Sequence, residues 1–452
     1  MIRPSLWMVA ALLLMGFISR GAAENDFQHQ ELNQWLDYLH ENDRFMGSIT
    51  LRQGDEIIYE YQAGQLSLEK EADISPETQF RVGSVNKMFT AVLIMQLGAD
   101  DRLSLDDPLA DYFSELPRAG QITLEQLLRH RSGLFNYTSA NDFTEWMTEP
   151  RSRDALMRRI SDGSPVFKPG ERADYSNANY LLLGYIIEDV TGLPYAEVLR
   201  EQILEPLELE NTVFGRNISP SLGDARSYRY SEVEQKWKPV PEAHHSVIHS
   251  AGALISTPTD LTKFARALFA GKLIGKQYLD QMTELQDGFG RGLIAFLDDE
   301  QEIQGYGHYG GIDAYRSNLI YYPETDLSLS ITASALRISD SRIRDAILKA
   351  WSGKQPEFPE LHSVELTENH LQNLTGEYES DDLPMDMTIG VDGGRLTIRT
   401  DHQTAFHLTA SDKHVFHLEE AGAMIEFEQS ENDTYNRFIY HQDGVEFIFI
   451  RK

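Results

Sequence analysis

From Met88 to Leu97 the chain offers little polar relief. Met88, Val92 and Met95 recur at helical spacing, and Ala91, Leu93 and Ile94 fill the gaps between them. A helix that is apolar nearly all round is not stable on a surface, so the run predicts a buried helix enclosed by other elements. Immediately before it stands Phe80-Arg81-Val82-Gly83-Ser84-Val85-Asn86-Lys87. If Ser84 opens the helix, its hydroxyl caps the first turn and shares a face with Lys87, three residues on. A lysine beside a serine hydroxyl in a dry cleft can lose its proton and act as a base. Ser67-Leu68-Glu69-Lys70 has the same spacing, but it is followed by Glu71 and Asp73 and opens no apolar helix.

On either side of this helix the pattern changes character. Residues 30–42 read as a helix with Leu32, Trp35, Leu36 and Leu39 on one side. Residues 47–51 and 57–61 alternate as strands about a Gln53-Gly54-Asp55 turn. The middle is mainly helical, with helices expected at 109–113, from Thr123 as a cap, at 181–190 and at 259–269. Residues 317–322 and 327–332 are again strand-like around Pro323-Glu324-Thr325-Asp326, and a helix follows at 341–351. Strands and helices at both ends with a helical middle predict an α/β (α+β) domain. Its antiparallel sheet would be built from both termini and flanked by helices, with a helical region inserted.

Residues 353–367, with Gly353, Pro356 and Pro359, read as a linker. Beyond it, eight short alternating runs recur between 376 and 450, with Asp392-Gly393-Gly394 and Asp443-Gly444 as hairpin turns. They predict a small antiparallel β-barrel over 368–452. At the other end, Arg3, the apolar stretch 6–18 and Gly21-Ala22-Ala23 have the layout of an export signal over 1–23. The expected catalytic domain is then 24–352, exported to a periplasmic or extracellular space of bacterial type, with no membrane anchor after cleavage.

Composition removes several chemistries. The 452 residues contain no cysteine, so disulfides, thiol nucleophiles, thiolate metal sites and an acylated N-terminal cysteine are excluded. A formal charge of −31 disfavours nucleic acid and anionic lipid as partners. His244, His245 and His249 have no acidic residue at ligand spacing, so no metal is expected, and no cofactor-binding motif is present.

Two further motifs follow Ser84-x-x-Lys87 in order: Tyr175-x-Asn177 and His308-x-Gly310. With flanking phrases such as Leu127-Leu128-Arg129-His130-Arg131-Ser132-Gly133-Leu134 and residues 206–212 and 250–257, the chain resembles the serine β-lactamase and penicillin-binding-protein superfamily. It is most similar to the class C β-lactamase, D-aminopeptidase and esterase branch, over roughly residues 30–350. The C-terminal barrel resembles the lipocalin-like module of some D-aminopeptidase-type relatives. The resemblance implies acylation of Ser84, with Lys87 and Tyr175 sharing the proton transfers in an order that the sequence leaves open. It also implies an oxyanion hole from the backbone N–H groups of Ser84 and Gly311. Asn177 would orient the substrate or Lys87, and His308 would reach towards Tyr175 or the substrate.

One position departs from the superfamily pattern. Between His308 and Gly310, where a threonine or serine hydroxyl usually helps to bind a substrate carboxylate, this chain has Tyr309. A charge-assisted hydrogen bond is worth about 1.5–3 kcal/mol, so its loss disfavours β-lactamase and D-Ala-D-Ala carboxypeptidase activity. The leading expectation is a serine hydrolase acting on a small ester or a short D-amino-acid-containing peptide. A β-lactamase or carboxypeptidase is the first alternative, and a catalytically silent peptide- or β-lactam-binding protein is the second.

Overall fold

The computed structural model describes residues 27–231, 234–298, 302–359, 364–380, 386–400, 405–418, 421, 423–429, 435–442 and 445–452. The export segment 1–23 and the Asp443-Gly444 turn fall outside them.

A six-stranded antiparallel sheet organises the larger part of the chain. Its order is Ile294–Leu297, Ile303–Ile312, Tyr315–Tyr322, Leu327–Leu336, Phe45–Gln53 and Glu56–Ala63. The N-terminal hairpin joins the C-terminal strands through a ladder in which Ser48 pairs with Thr332 and Leu51 with Leu329. Both termini therefore build one sheet, as the pattern of strand-like runs predicts.

Helices His29–Glu41 and Asp340–Trp351 cover one face of this sheet. Leu32, Trp35, Leu36, Leu39, Ile343 and Ile347 pack there on Ile49, Leu51, Leu329 and Ile331. The other face carries helix Pro258–Phe269, whose Phe264 stacks on Phe89 of helix Asn86–Ala99. The second helix is the apolar one. Met88, Phe89, Val92, Leu93, Ile94 and Met95 are all buried, each contributing about 1.5–3 kcal/mol on leaving water. Helix Asn177–Thr191 encloses it further with Leu181, Leu183 and Ile186.

Two local expectations need correction. Ser84 does not cap the apolar helix: it lies in a 3-10 turn, Gly83–Val85, that leads into it, and no side chain caps the first turn. The hydroxyl is engaged elsewhere, as described below. The segment at 109–113 is a single 3-10 turn, Leu109–Asp111, because Pro108 and Leu109 are drawn into a bridge to the Ile122-Thr123 segment. Thr123 does cap helix Leu124–Leu128, in a reciprocal box with Gln126.

The C-terminal part is a nine-stranded antiparallel sheet, curled until it nearly closes. Its two edge strands, Phe406–His407 and Thr409–Ala410, are separated only by Leu408. The first pairs with Arg395–Thr400 and the second with Val415–Leu418, while the Leu408 N–H donates to Leu396. One kinked run thus serves both edges, which is why eight alternating segments yield nine strands. Gly393 and Gly394 both have positive φ, as the tight turn between Asp392 and Arg395 requires. Helix Glu368–Leu374, capped by Thr367, was not apparent from the sequence and plugs the barrel core with Leu371 and Leu374.

Candidate active site

Ser84 stands at the junction of the sheet, the apolar helix and helix Asn177–Thr191. The turn that carries it is clamped against strand Ile303–Ile312. Gly83 adopts φ +50° with a Cβ position only 3.0 Å from the Gly311 backbone nitrogen, so only glycine allows the approach. A Cβ on Gly310 would lie 2.1 Å from the Val82 carbonyl, which also accepts the Ser317 hydroxyl at 2.8 Å.

Two groups converge on Ser84 Oγ. Lys87 Nζ lies 3.0 Å away, and the Tyr175 hydroxyl donates at 2.7 Å. Lys87 is fully buried, and its other partners are Asn177 Oδ1 and the Ala251 carbonyl, both at 2.8 Å. All are neutral oxygens. Burial without a countercharge pushes the Lys87 ammonium well below the usual lysine range. A neutral amine donates two hydrogens to Asn177 and Ala251 and leaves its lone pair for the Ser84 proton.

The phenol responds in the opposite sense. Burial raises Tyr175 above its ordinary value, and the hydrogen bond to Ser84 only partly opposes this. The two shifts have opposite signs, the amine being favoured neutral and the phenol protonated.

Asn177 opens its helix with its amide fixed from both ends. Nδ2 donates to Thr138 at 2.8 Å while Oδ1 receives Lys87, and the backbone N–H donates to Asn136 Oδ1 at 3.1 Å. His308 is buried, and Nδ1 contacts the Tyr309 carbonyl. A carbonyl only accepts, so Nδ1 carries the proton and Nε2 is left as an acceptor. Burial holds His308 down at about 3, hence neutral at any ordinary pH. Its ring centroid is 6.2 Å from that of Tyr175.

Tyr309 is carried away from these groups. Successive strand residues face opposite sides of the sheet, and the Tyr309 ring packs on Phe296 while its hydroxyl accepts from Arg344 at 3.2 Å. It lies with the outer helix Asp340–Trp351 rather than beside Ser84.

Nothing in the sequence singles out His130. It is buried with φ +56°, its ring lies 4.4 Å from that of Tyr175, and its Nδ1 accepts the Ser176 N–H at 3.1 Å. The signal was present in the Arg129-His130-Arg131-Ser132-Gly133 phrase, but nothing local indicates which distant ring it supports. The decoy serine, Ser67, donates to Glu69 within its own turn.

The chain matches the β-lactamase family over residues 33–350. It belongs to that family. Penicillin-binding protein 4* of Bacillus subtilis is 25% identical over 446 residues, covering 93% of this chain and 98% of that protein. A teichoic acid D-alanine hydrolase of Staphylococcus aureus is 28% identical over 250 residues, covering 55% of this chain and 59% of that one. Among solved structures, the D-amino acid amidase of Ochrobactrum anthropi SV3 complexed with D-phenylalanine superposes with a TM-score of 0.63 at 25% identity, over 72% of this chain and 98% of that chain. The octameric penicillin-binding protein homologue of Pyrococcus abyssi reaches a TM-score of 0.65 at 25% identity, over 93% and 99% of the two chains. The latter match takes in most of the β-lactamase-family domain and the barrel together. Among the described residues, no helix is long and apolar enough to cross a membrane.

Proposed function

We propose that the protein is a serine hydrolase that cleaves small esters or amides, D-amino-acid derivatives foremost, through an acyl-enzyme on Ser84. The observation that carries this reading is the buried Lys87 amine, 3.0 Å from Ser84 Oγ and ringed by neutral acceptors. A lysine placed for structure alone would be expected to pair with a carboxylate or reach solvent.

In the proposed cycle, Lys87 takes the Ser84 proton as Oγ bonds to the substrate carbonyl carbon. The carbonyl oxygen becomes an oxyanion held by the Ser84 and Gly311 N–H groups. Collapse expels the leaving group, which receives a proton from Tyr175. Lys87 Nζ, 4.9 Å from the Tyr175 ring centroid, returns the proton to the phenol. Water then repeats the sequence on the acyl-enzyme and frees Ser84.

Preference for D-amino-acid esters and amides is supported by the names of the similar proteins, a D-amino acid amidase and a teichoic acid D-alanine hydrolase. The orientation of Tyr309 adds to it, since its hydroxyl is not available to a substrate carboxylate. The near full-length similarity to penicillin-binding protein 4* favours a second reading, acylation by β-lactams. We place the activity outside the cytoplasm, on the strength of residues 1–23.

A panel of short aryl esters, D- and L-amino-acid anilides and a chromogenic cephalosporin tests the proposal. Turnover of esters or D-anilides above L-anilides is expected. Stoichiometric acylation without turnover on every member would replace the hydrolase by a binding protein.

A further inference from the structure

A buried ion pair lies just outside the catalytic groups and touches none of them. Arg81 Nη1 is 2.6 Å from Asp313 Oδ2, with side-chain exposures of 3% and 1%. The same guanidinium nitrogen donates to the Ala243 carbonyl at 2.8 Å, and Asp313 Oδ1 accepts the Ala243 N–H at 2.9 Å. Three segments far apart in sequence are therefore closed into one hydrogen-bonded ring. Asp313 has φ +56°, a region that an L-residue adopts at some cost and that favours glycine. Both carboxylate oxygens are engaged there, one by Arg81 and the other by the Ala243 N–H.

The position of this ring along the chain gives it meaning. Arg81 is three residues before Ser84, on strand Phe80–Arg81, which pairs with Leu254–Ser256. Asp313 is two residues after Gly311, at the end of strand Ile303–Ile312. Between the two lie the contacts of Gly83 with Gly311 and of Val82 with Gly310 and Ser317. The ion pair thus spans the two segments whose backbone N–H groups the proposed mechanism aims at one oxygen.

We propose that Arg81 and Asp313 are positioning residues that fix the separation of the Ser84 and Gly311 N–H groups, and hence the fit of the oxyanion hole to oxygen. The proposal rests on the acyl-enzyme reading of Ser84. Oxyanion stabilisation depends on donors 2.7–3.1 Å from the developing charge, so a small displacement affects the transition state far more than substrate binding. Removing one partner leaves the other charged and buried, so Asp313→Asn is the sharper change. Arg81→Lys keeps the charge but ends one bond short of the Nη1 that serves both Asp313 and Ala243, and it serves if the first variant folds poorly.

The discriminating measurement compares 4-nitrophenyl acetate with its thiono analogue, in which sulfur replaces the carbonyl oxygen. A hole fitted to oxygen handles the larger sulfur poorly. Wild-type protein is expected to prefer the oxygen ester. Asp313→Asn should lower kcat for the oxygen ester by about 10–100-fold with KM little changed. It should move the oxygen-to-sulfur ratio of kcat/KM towards one, with Arg81→Lys intermediate. A merely structural role would lower both substrates together and leave the ratio unchanged, and that result in either folded variant overturns the positioning role. Ser84→Ala is run alongside. Turnover undiminished in that variant overturns the acyl-enzyme reading itself, whereas Ser84-dependent turnover with a constant ratio removes the positioning role alone.

Discussion

The imidazole of His130 lies against the ring of Tyr175, centroids 4.4 Å apart, while its Nδ1 holds the N–H of the next residue, Ser176. His130 thus braces both the ring and the backbone of the residue whose hydroxyl meets Ser84. Burial keeps His130 well below its ordinary value and therefore neutral. His130→Ala is expected to lower kcat by about tenfold or more, because a 1 Å error in a proton carrier is costly. Steady-state kinetics on an aryl ester would check this, with Tyr175→Phe as the reference.

Ser84→Ala should abolish covalent labelling by a fluorophosphonate probe and reduce turnover at least about 10³-fold. Intact-protein mass spectrometry reads the adduct directly. Persistent labelling at another residue would reassign the nucleophile.

Tyr175→Phe should discriminate between leaving groups. General-acid assistance contributes about 10²–10⁴-fold, and it matters most where the departing group is basic. The loss on a D-amino-acid anilide is therefore expected to exceed that on a 4-nitrophenyl ester. Equal losses on the two would remove Tyr175 from leaving-group protonation.

Lys87 predicts the pH behaviour of both activity and stability. The active form is neutral, so kcat/KM should fall as pH drops through the depressed lysine value, and His308→Asn should leave that limb in place. For stability, the unfolded chain binds the Lys87 proton at pH values where the folded chain does not. Rising pH therefore favours folding between the depressed value and the ordinary one near 10.5. Wild-type protein should gain on Lys87→Met across that window, with a limiting slope of about 1.4 kcal/mol per pH unit. Denaturant melts at several pH values supply the test.

Adjacent glycines should respond very differently to alanine. Gly310→Ala forces a Cβ to 2.1 Å from the Val82 carbonyl, on the segment leading to Ser84. A stability loss of about 1–3 kcal/mol is expected, with activity falling as well. At Gly311 the nearest atom to an added Cβ is an Arg316 guanidinium nitrogen at 3.5 Å, so Gly311→Ala should fold normally. Thermal melts of the pair give the comparison.

The legible parts of this chain are those where local pattern and tertiary role coincide. The Met88–Leu97 run reads as buried because it is buried, and the period-two segments at 47–51 and 327–332 pair in the middle of the sheet, with Ile49, Leu51, Leu329 and Ile331 buried on one face and Ser48, Thr50, Ser330 and Thr332 on the other. The sequence also carries the order of Ser84, Lys87, Tyr175 and Asn177. What it does not carry is direction at a junction. Ser84 reads as a helix cap, yet its hydroxyl is taken by two partners, one of them ninety-one residues away. Tyr309 reads as part of a motif, but strand alternation turns it to the outer face. His130 and the Arg81–Asp313 pair act through distant partners, and no spacing rule reports those.

The pairing of Phe45–Gln53 with Leu327–Leu336 has a consequence for the timing of activity. A nascent chain that has reached helix Asn177–Thr191 already contains Ser84, Lys87 and Tyr175, but not the strand that bears Gly311 or the ladder that anchors the N-terminal hairpin. Closing so long a loop comes late in folding. Activity from Ser84 is thus expected only once the chain has been made as far as strand Leu327–Leu336 and the two ends of the domain have met.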